Sequence, residues 1–170
     1  VLPGVTQMQA LVYREDAIVV VPEPDKDEPV VYGGYDDTGQ FVGYAVPAAG
    51  PGFQDTIALL YGYKPDDQLV VGMEILESRE TPGLGDKIYK DMDFVGEFKA
   101  LEIEPEIVAV KKGTKTSNNQ VDAITGATIS AKAVVRIINE AHASWSGQLP
   151  SPGSEPALEP QEPAGSEAGQ

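Results

Sequence analysis

Residues 54–77, QDTIALLYGYKPDDQLVVGMEILE, decide the fold class. Two apolar runs, 54–63 and 68–77, flank KPDD, whose proline and acids favour a turn. In the first run Ile57, Leu59 and Tyr61 alternate against Ala58, Leu60 and Gly62. A period of two belongs to a strand, so the pair reads as an antiparallel hairpin. Both alternating sets are fairly apolar, as in a sheet covered on one face and partly buried on the other.

The pattern repeats upstream. VVYGGYD (30–36) and QFVGYAV (40–46) flank DTG, a second hairpin with its turn glycine in place. AIVVV (17–21) is a short strand stopped by PEPDKDEP. Residues 1–14 carry Leu2, Val5, Met8, Leu11 and Val12 at near-helical spacing, which predicts a weak helix. AAGPGFQDT (48–56) reads as a loop between strands, in which Phe53 either packs in the core or flanks a ring system. Downstream lie a loop, SRETPGLGDK (78–87), a short helical piece to about Phe98, and a strand in EIVAVKKG (106–113). TSNNQ (116–120) is loop. A helix from Thr128 to Trp145 follows, its stripe formed by Val134, Ile137, Ile138, Ala141 and Trp145. The sum is an α+β domain, a mostly antiparallel sheet built from hairpins with helices packed on it and a C-terminal amphipathic helix. We expect one domain over 1–146. The remainder, 147–170, is rich in Pro, Glu, Gly and Ser and poor in large apolar residues, and reads as a disordered tail.

Bulk composition narrows the function. The net charge of −15 argues against nucleic acid, whose phosphates call for Lys and Arg, and against an electrostatic hold on anionic lipid heads. There is no cysteine, which excludes thiolate zinc sites, Cys-ligated iron–sulfur clusters and thioether-linked haem. His142 is the one histidine and reads as a surface or helix-packing residue. Any redox chemistry therefore falls to an organic cofactor. No run of roughly 18 apolar residues is present to span a membrane. The chain starts at Val1 without an initiator Met, and we expect that a leader or anchor has been removed.

Two stretches carry candidate chemistry. VDAITGATIS (121–130) sets Thr125, Thr128 and Ser130 at a helix entrance. Gly126 frees the backbone there, and Ala127 keeps the neighbourhood small. A helix start offers free N–H groups and a positive dipole end, a seat for phosphate. The plain reading is that these hydroxyls and Asp122 are helix caps. Asp122 could also hold a metal or polarise a hydroxyl. The second stretch is ETPGLGDK (80–87), a close-approach loop in which Leu84, between Gly83 and Gly85, is pushed outward against a flat apolar ligand. Alone, it is a turn.

Taken together, ETPGLGDK and DAITGATIS, about 40 residues apart and followed by an amphipathic helix, resemble the FMN-binding domain family. The likeness covers roughly residues 1–145 and is nearest the G subunit of the Rnf electron-transport complex and the C subunit of sodium-translocating NADH:quinone reductase. The chain departs from that pattern at Ser78 and in GPGFQDT (50–56). The resemblance implies that Asp122, Thr125, Gly126, Ala127 and Thr128 form a flavin-attachment motif. Thr128 would carry FMN through a phosphodiester installed by a flavin transferase, with Ser130 the competing hydroxyl. It further implies flavin contacts from Ile129, Glu80, Thr81, Gly83, Leu84 and Gly85. The expected role is an extracytoplasmic electron carrier within a membrane-bound, ion-translocating oxidoreductase. Its partners would be the other subunits of that complex, and a removed N-terminal helix would be its membrane anchor. Two other readings stand beside it: a relay partner of a flavin reductase, and a non-redox binding module in which both motifs are turns and caps.

Overall fold

The computed structural model describes residues 1–25 and 27–159. Seven strands form one antiparallel sheet: β1 (Gln7–Arg14), β2 (Ala17–Val20), β3 (Val31–Tyr35), β4 (Phe41–Pro51), β5 (Thr56–Lys64), β6 (Leu69–Glu77) and β7 (Leu101–Glu102). Their order is β2-β1-β3-β4-β5-β6-β7. Two short helices, α1 (Lys87–Lys90) and α2 (Met92–Gly96), and a 3-10 turn at Glu97–Lys99 lead from β6 into β7. β8 (Val108–Val110) and β9 (Gln120–Asp122) pair in parallel as a separate ribbon, and α3 (Thr128–Ser146) follows. This is the α+β architecture expected from the hairpins.

The β5–β6 hairpin pairs Tyr61 with Met73 and Gly62 with Gly72, and the 30–46 hairpin pairs Tyr32 with Ala45. On one face Val46 opposes Tyr61, Ala48 opposes Leu59 and Gly50 opposes Ile57. α3 lies over that face. A Cβ at Gly50 would stand 2.8 Å from Ile137 Cγ1, so glycine sets how closely helix and strand approach. Val134, Ile137, Ile138 and Trp145 join Tyr44, Val46, Leu59 and Tyr61 in one buried cluster. Each aliphatic side chain among them contributes about 1.5–3 kcal/mol by leaving water. His142 is buried, edge-on to Tyr63 at 5.0 Å, with Nε2 2.6 Å from Glu104 Oε1.

Residues 1–14 differ from the expected helix. Residues 7–14 are strand β1, with Gln9, Leu11 and Val12 buried. β1 turns into β2 through Glu15 and Asp16, both at positive φ (52° and 65°), the two-residue turn that matches strand twist. Without Gly or Asn there, the turn left no mark in the sequence. The near-helical spacing arose because Leu2 and Val5 belong to a different piece of chain. Residues 1–5 cross the sheet face opposite α3 over a trough of glycines. The Leu2 side chain lies where a Cβ at Gly34 or Gly43 would be, at 2.9 and 3.0 Å, and the Val1 carbonyl carbon lies 3.1 Å from the Cβ position at both Gly62 and Gly72.

The expected disordered tail also differs over residues 147–159. The Gln148 and Leu149 N–H groups donate to the Trp145 carbonyl at 2.8 and 2.9 Å, and the chain then crosses the β1–β3 end of the α3 face. Tyr35 Oη donates to the Pro156 carbonyl (2.5 Å), Gln9 Nε2 to the Ala157 carbonyl (2.9 Å), and the Glu159 N–H to Gln9 Oε1 (2.9 Å). Buried Gln9 needs partners, and an extended backbone supplies them with little apolar area. Composition alone misses that route to order. Residues 160–170 of the expected tail lie outside the described residues.

Gly62→Ala tests the trough. The new methyl would meet the Val1 carbonyl and lie 3.0 Å from Leu2 Cδ2, so residues 1–5 should lift off the sheet at a cost of about 1–3 kcal/mol. Faster amide exchange at Leu2 and Val5, with β5 amides unchanged, is the expected signature. Unchanged exchange at both would show that the trough does not hold this segment.

Candidate functional site

The two motifs meet at the start of α3. A cavity of about 340 Å³ opens there, with Phe53, Thr81 and Leu84 on one side and Gly126, Thr128 and Ile129 on the other. A larger cavity of about 740 Å³, between residues 1–3 and β6, includes neither motif. Size therefore does not locate the chemistry; the convergence of the motifs does.

None of the hydroxyls caps the helix. The N-cap position is Ala127 (φ −140°, ψ 32°), there is no side-chain cap, and no acid occupies the first turn. The first N–H groups of a 19-residue helix are therefore left without a side-chain cap, and the nearest carboxylate in contact with that turn, Glu80, takes the Ser130 hydroxyl instead. Gly126, at φ +81°, makes the reversal into the helix. Thr125 is exposed and its carbonyl accepts from Lys87 Nζ at 3.4 Å. Thr128 is exposed too, with Oγ1 3.4 Å from the Ile124 carbonyl, a weak tie. Ser130 is buried and donates to Glu80 Oε1 at 2.8 Å. The two competing hydroxyls are thus one in solvent and one spent inside.

Asp122 lies elsewhere. Its carboxylate accepts from the Gly113 N–H at 3.2 Å, and its own N–H donates to Glu97 Oε2 at 2.7 Å, so it orders the turn after β8. It sits on a neighbouring depression beside Lys112 and neither caps α3 nor lines the motif cavity. Among the described residues no group of three or more His, Asp or Glu side chains is arranged to hold a metal.

Glu80 is the organiser of the site. Its buried carboxylate accepts the Phe53 N–H (2.6 Å), the Gln54 N–H (2.7 Å) and the Ser130 hydroxyl (2.8 Å). A Cβ at Gly52 would come 2.6 Å from Glu80 Oε1, and one at Gly85 would come 2.7 Å from both Glu80 Cβ and Ser130 Oγ. Both glycines are therefore needed for the carboxylate to fit. Burial opposes its ionisation, but the hydrogen bonds from Gln54, Phe53 and Ser130 outweigh that and hold the carboxyl below its ordinary value. Gly83, at φ +79°, closes the TPGLG turn, and the Leu84 N–H returns to the Thr81 carbonyl at 3.0 Å. Leu84 is pushed outward as its glycine neighbours foretold, 51% exposed.

Phe53 is not core. It is 59% exposed on the cavity rim, because Glu80 takes the backbone N–H groups of residues 53 and 54 and turns the loop outward. Ile129 is 60% exposed opposite it. The cavity is thus a slot lined by apolar Phe53, Leu84 and Ile129, with Thr81, Thr128 and Ser130 also in its lining. Sequence reasoning missed Lys87, whose only signal was its place two residues after the TPGLG turn.

Glu80→Gln should cost about 1–3 kcal/mol, since one carboxylate oxygen becomes an amide that cannot accept an N–H. The lowered Glu80 value makes its stabilisation complete above the ordinary carboxyl range and lost as pH falls through the folded-state value. The variant's deficit should accordingly be largest near neutrality and shrink in acid. A deficit independent of pH between 3 and 7, roughly the carboxylate range, would remove the ionised form from the account.

A family model for the FMN-binding domain matches residues 52–143. The G subunit of the ion-translocating oxidoreductase complex of Methanosarcina acetivorans is 39% identical over 119 residues, 69% of this chain and 60% of that protein. The G subunit of the proton-translocating ferredoxin:NAD(+) oxidoreductase complex of Clostridium ljungdahlii is 34% identical over 145 residues, 82% of this chain and 75% of that one. The chain thus spans less than two thirds of the first of these relatives. The crystal structure of the C subunit of a Na(+)-translocating NADH-quinone reductase from Parabacteroides distasonis superposes with a TM-score of 0.66, at 24% identity, over 84% of this chain and 77% of that one, and so shares the fold. The matched segment runs from the Phe53 loop through both motifs and along α3, and this chain belongs to the FMN-binding domain family.

Proposed function

We propose that this chain is the FMN-carrying electron-transfer subunit of a membrane-bound, ion-translocating oxidoreductase of the Rnf type. In this reading it works on the extracytoplasmic face, with FMN joined through a phosphodiester to Thr128. The observation that carries the reading is the exposed Thr128 hydroxyl at the uncapped start of α3, on the edge of a slot walled by Phe53, Leu84 and Ile129. A phosphoryl group on Thr128 Oγ1 would lie at the positive end of the helix dipole. The apolar walls would take the flat ring, and burial would exclude water from its faces.

Attachment requires a separate flavin transferase and a flavin nucleotide activated as a phosphoanhydride. The Thr128 Oγ1–P bond forms, the anhydride P–O bond breaks, the hydroxyl proton passes to solvent and the nucleotide fragment leaves. When bound, the flavin would supply uptake and release of one or two electrons. The protein's own part is to hold the ring and the phosphate, and no acid–base residue lines the slot. Among the described residues no helix is long and apolar enough to cross a membrane. The other subunits of the complex would be the electron donor and acceptor. The uncapped helix start counts against the non-redox reading, in which the hydroxyls serve as caps.

Intact mass after co-expression with an active flavin transferase tests this. The parent and Ser130→Ala should gain the mass of one FMN less one water, stable to denaturation, and Thr128→Val should gain nothing. Since the Thr128 hydroxyl makes only one weak contact, Thr128→Val should shift the stability of flavin-free protein by less than about 1 kcal/mol. Gain by Thr128→Val, or none by the parent, would refute covalent attachment at this residue.

A further inference from the structure

A phosphodiester keeps one negative charge, and this chain already carries a net charge of −15. The question is which protein cation meets it. Among the described residues five cations sit in ion pairs: Arg14 with Glu28 at 2.6 Å, Lys90 with Asp86 at 2.8 Å, Lys115 with Glu97 at 3.1 Å, Arg79 with Asp55 at 3.6 Å and Arg136 with Glu140 at 4.0 Å.

Of the described lysines in no ion pair, Lys87 is the one with a hydrogen bond to the attachment motif. Its ammonium rests against the Thr125 carbonyl at 3.4 Å and lies 3.6 Å from where a Cβ on Gly126 would stand. A charge-assisted hydrogen bond is normally about 2.7–2.9 Å, so this is a loose contact that a better partner can replace. The neighbouring acid, Asp86, is already taken by Lys90. The residues after the TPGLG turn thus deliver an uncommitted cation to Thr125 and Gly126, just before the Ala127 N-cap of α3.

Resting on the attachment reading above, we propose that Lys87 is the counter-ion of the Thr128-linked phosphodiester. The helix N–H groups would hold one side of the phosphate and Lys87 the other. The same turn that presents Leu84 to the ring thereby presents an ammonium to the phosphate. Lys132, one helical turn beyond Thr128 and exposed, comes second: it neighbours Thr128 on the helix, but no hydrogen bond ties it to either motif among the described residues.

The test compares flavin-free and flavin-loaded protein, after intact mass has confirmed loading. An amine-reactive label read by peptide mass spectrometry should modify Lys87 readily in the flavin-free form and several-fold less in the loaded form. Exposed Lys111 and Lys112 should react equally in both. To separate charge from shielding by the ring, the flavin-dependent rise in Tm is measured against salt. It should fall with added salt in the parent and in Lys87→Arg, and be smaller and salt-independent in Lys87→Met. The flavin-free Tm of Lys87→Met should match the parent. Equal labelling of Lys87 in both forms, or a salt-sensitive rise in Lys87→Met equal to the parent's, overturns the assignment. If Lys87→Met cannot be loaded, the labelling of the parent decides. A parent that takes no flavin fails at the mass step, which is a failure of the attachment reading and is visible before Lys87 is tested.

Discussion

One buried carboxylate ties together three segments that the chain brings from far apart. Glu80 takes N–H groups from the loop after β4 and the hydroxyl from the first turn of α3, while its own backbone opens the TPGLG turn. Each wall of the slot is therefore hung from the same side chain. Phe53 faces outward because its N–H is held inward, and Leu84 follows from the turn that Glu80 begins. At Gly52 the carboxylate and Ile57 occupy the space a side chain would fill, and at Gly85 the Glu80 stem and the Ser130 hydroxyl do. An ionised group so placed is stable only with its donors complete, so the site behaves as one unit.

Much of this is legible in the residues alone. The two hairpins announce themselves by alternation and by turn residues, and the α3 stripe by its spacing. The two motifs are visible as motifs, and outward-facing Leu84 follows from its glycines. The differences have physical causes. Residues 1–14 show near-helical spacing because two unrelated pieces, a strap and a strand, happen to place apolar residues in phase. Residues 147–159 find order through backbone hydrogen bonds to Gln9 and Tyr35, a route that apolar content does not report. Asp122 stands near the helix in sequence but belongs to the β8–β9 ribbon. Phe53 has the size and polarity of a core residue, and only the Glu80 contacts turn it out.

The functional reading rests on a division of labour at the slot. Apolar side chains suit a ring, whereas the helix start and an uncommitted lysine suit a phosphate. The Thr128 hydroxyl is exposed and weakly held, and the Ser130 hydroxyl is locked to Glu80.

The glycine trough has a consequence for the order of assembly. Its floor is built from Gly34, Gly43, Gly62 and Gly72, on β3, β4, β5 and β6. No part of the first five residues can settle fully until those four strands are paired. On a ribosome residues 1–5 emerge before the rest of this domain, yet their seat is complete only when residue 72 has left the exit tunnel and β6 has closed on β5. The earliest of these residues to be made are thus among the last to be placed, and Leu2 and Val5 stay in water through that interval. Contacts of such long sequence separation slow folding and prolong the exposure of apolar side chains. In this domain that vulnerability sits in residues 1–5, on the face of the sheet turned away from α3.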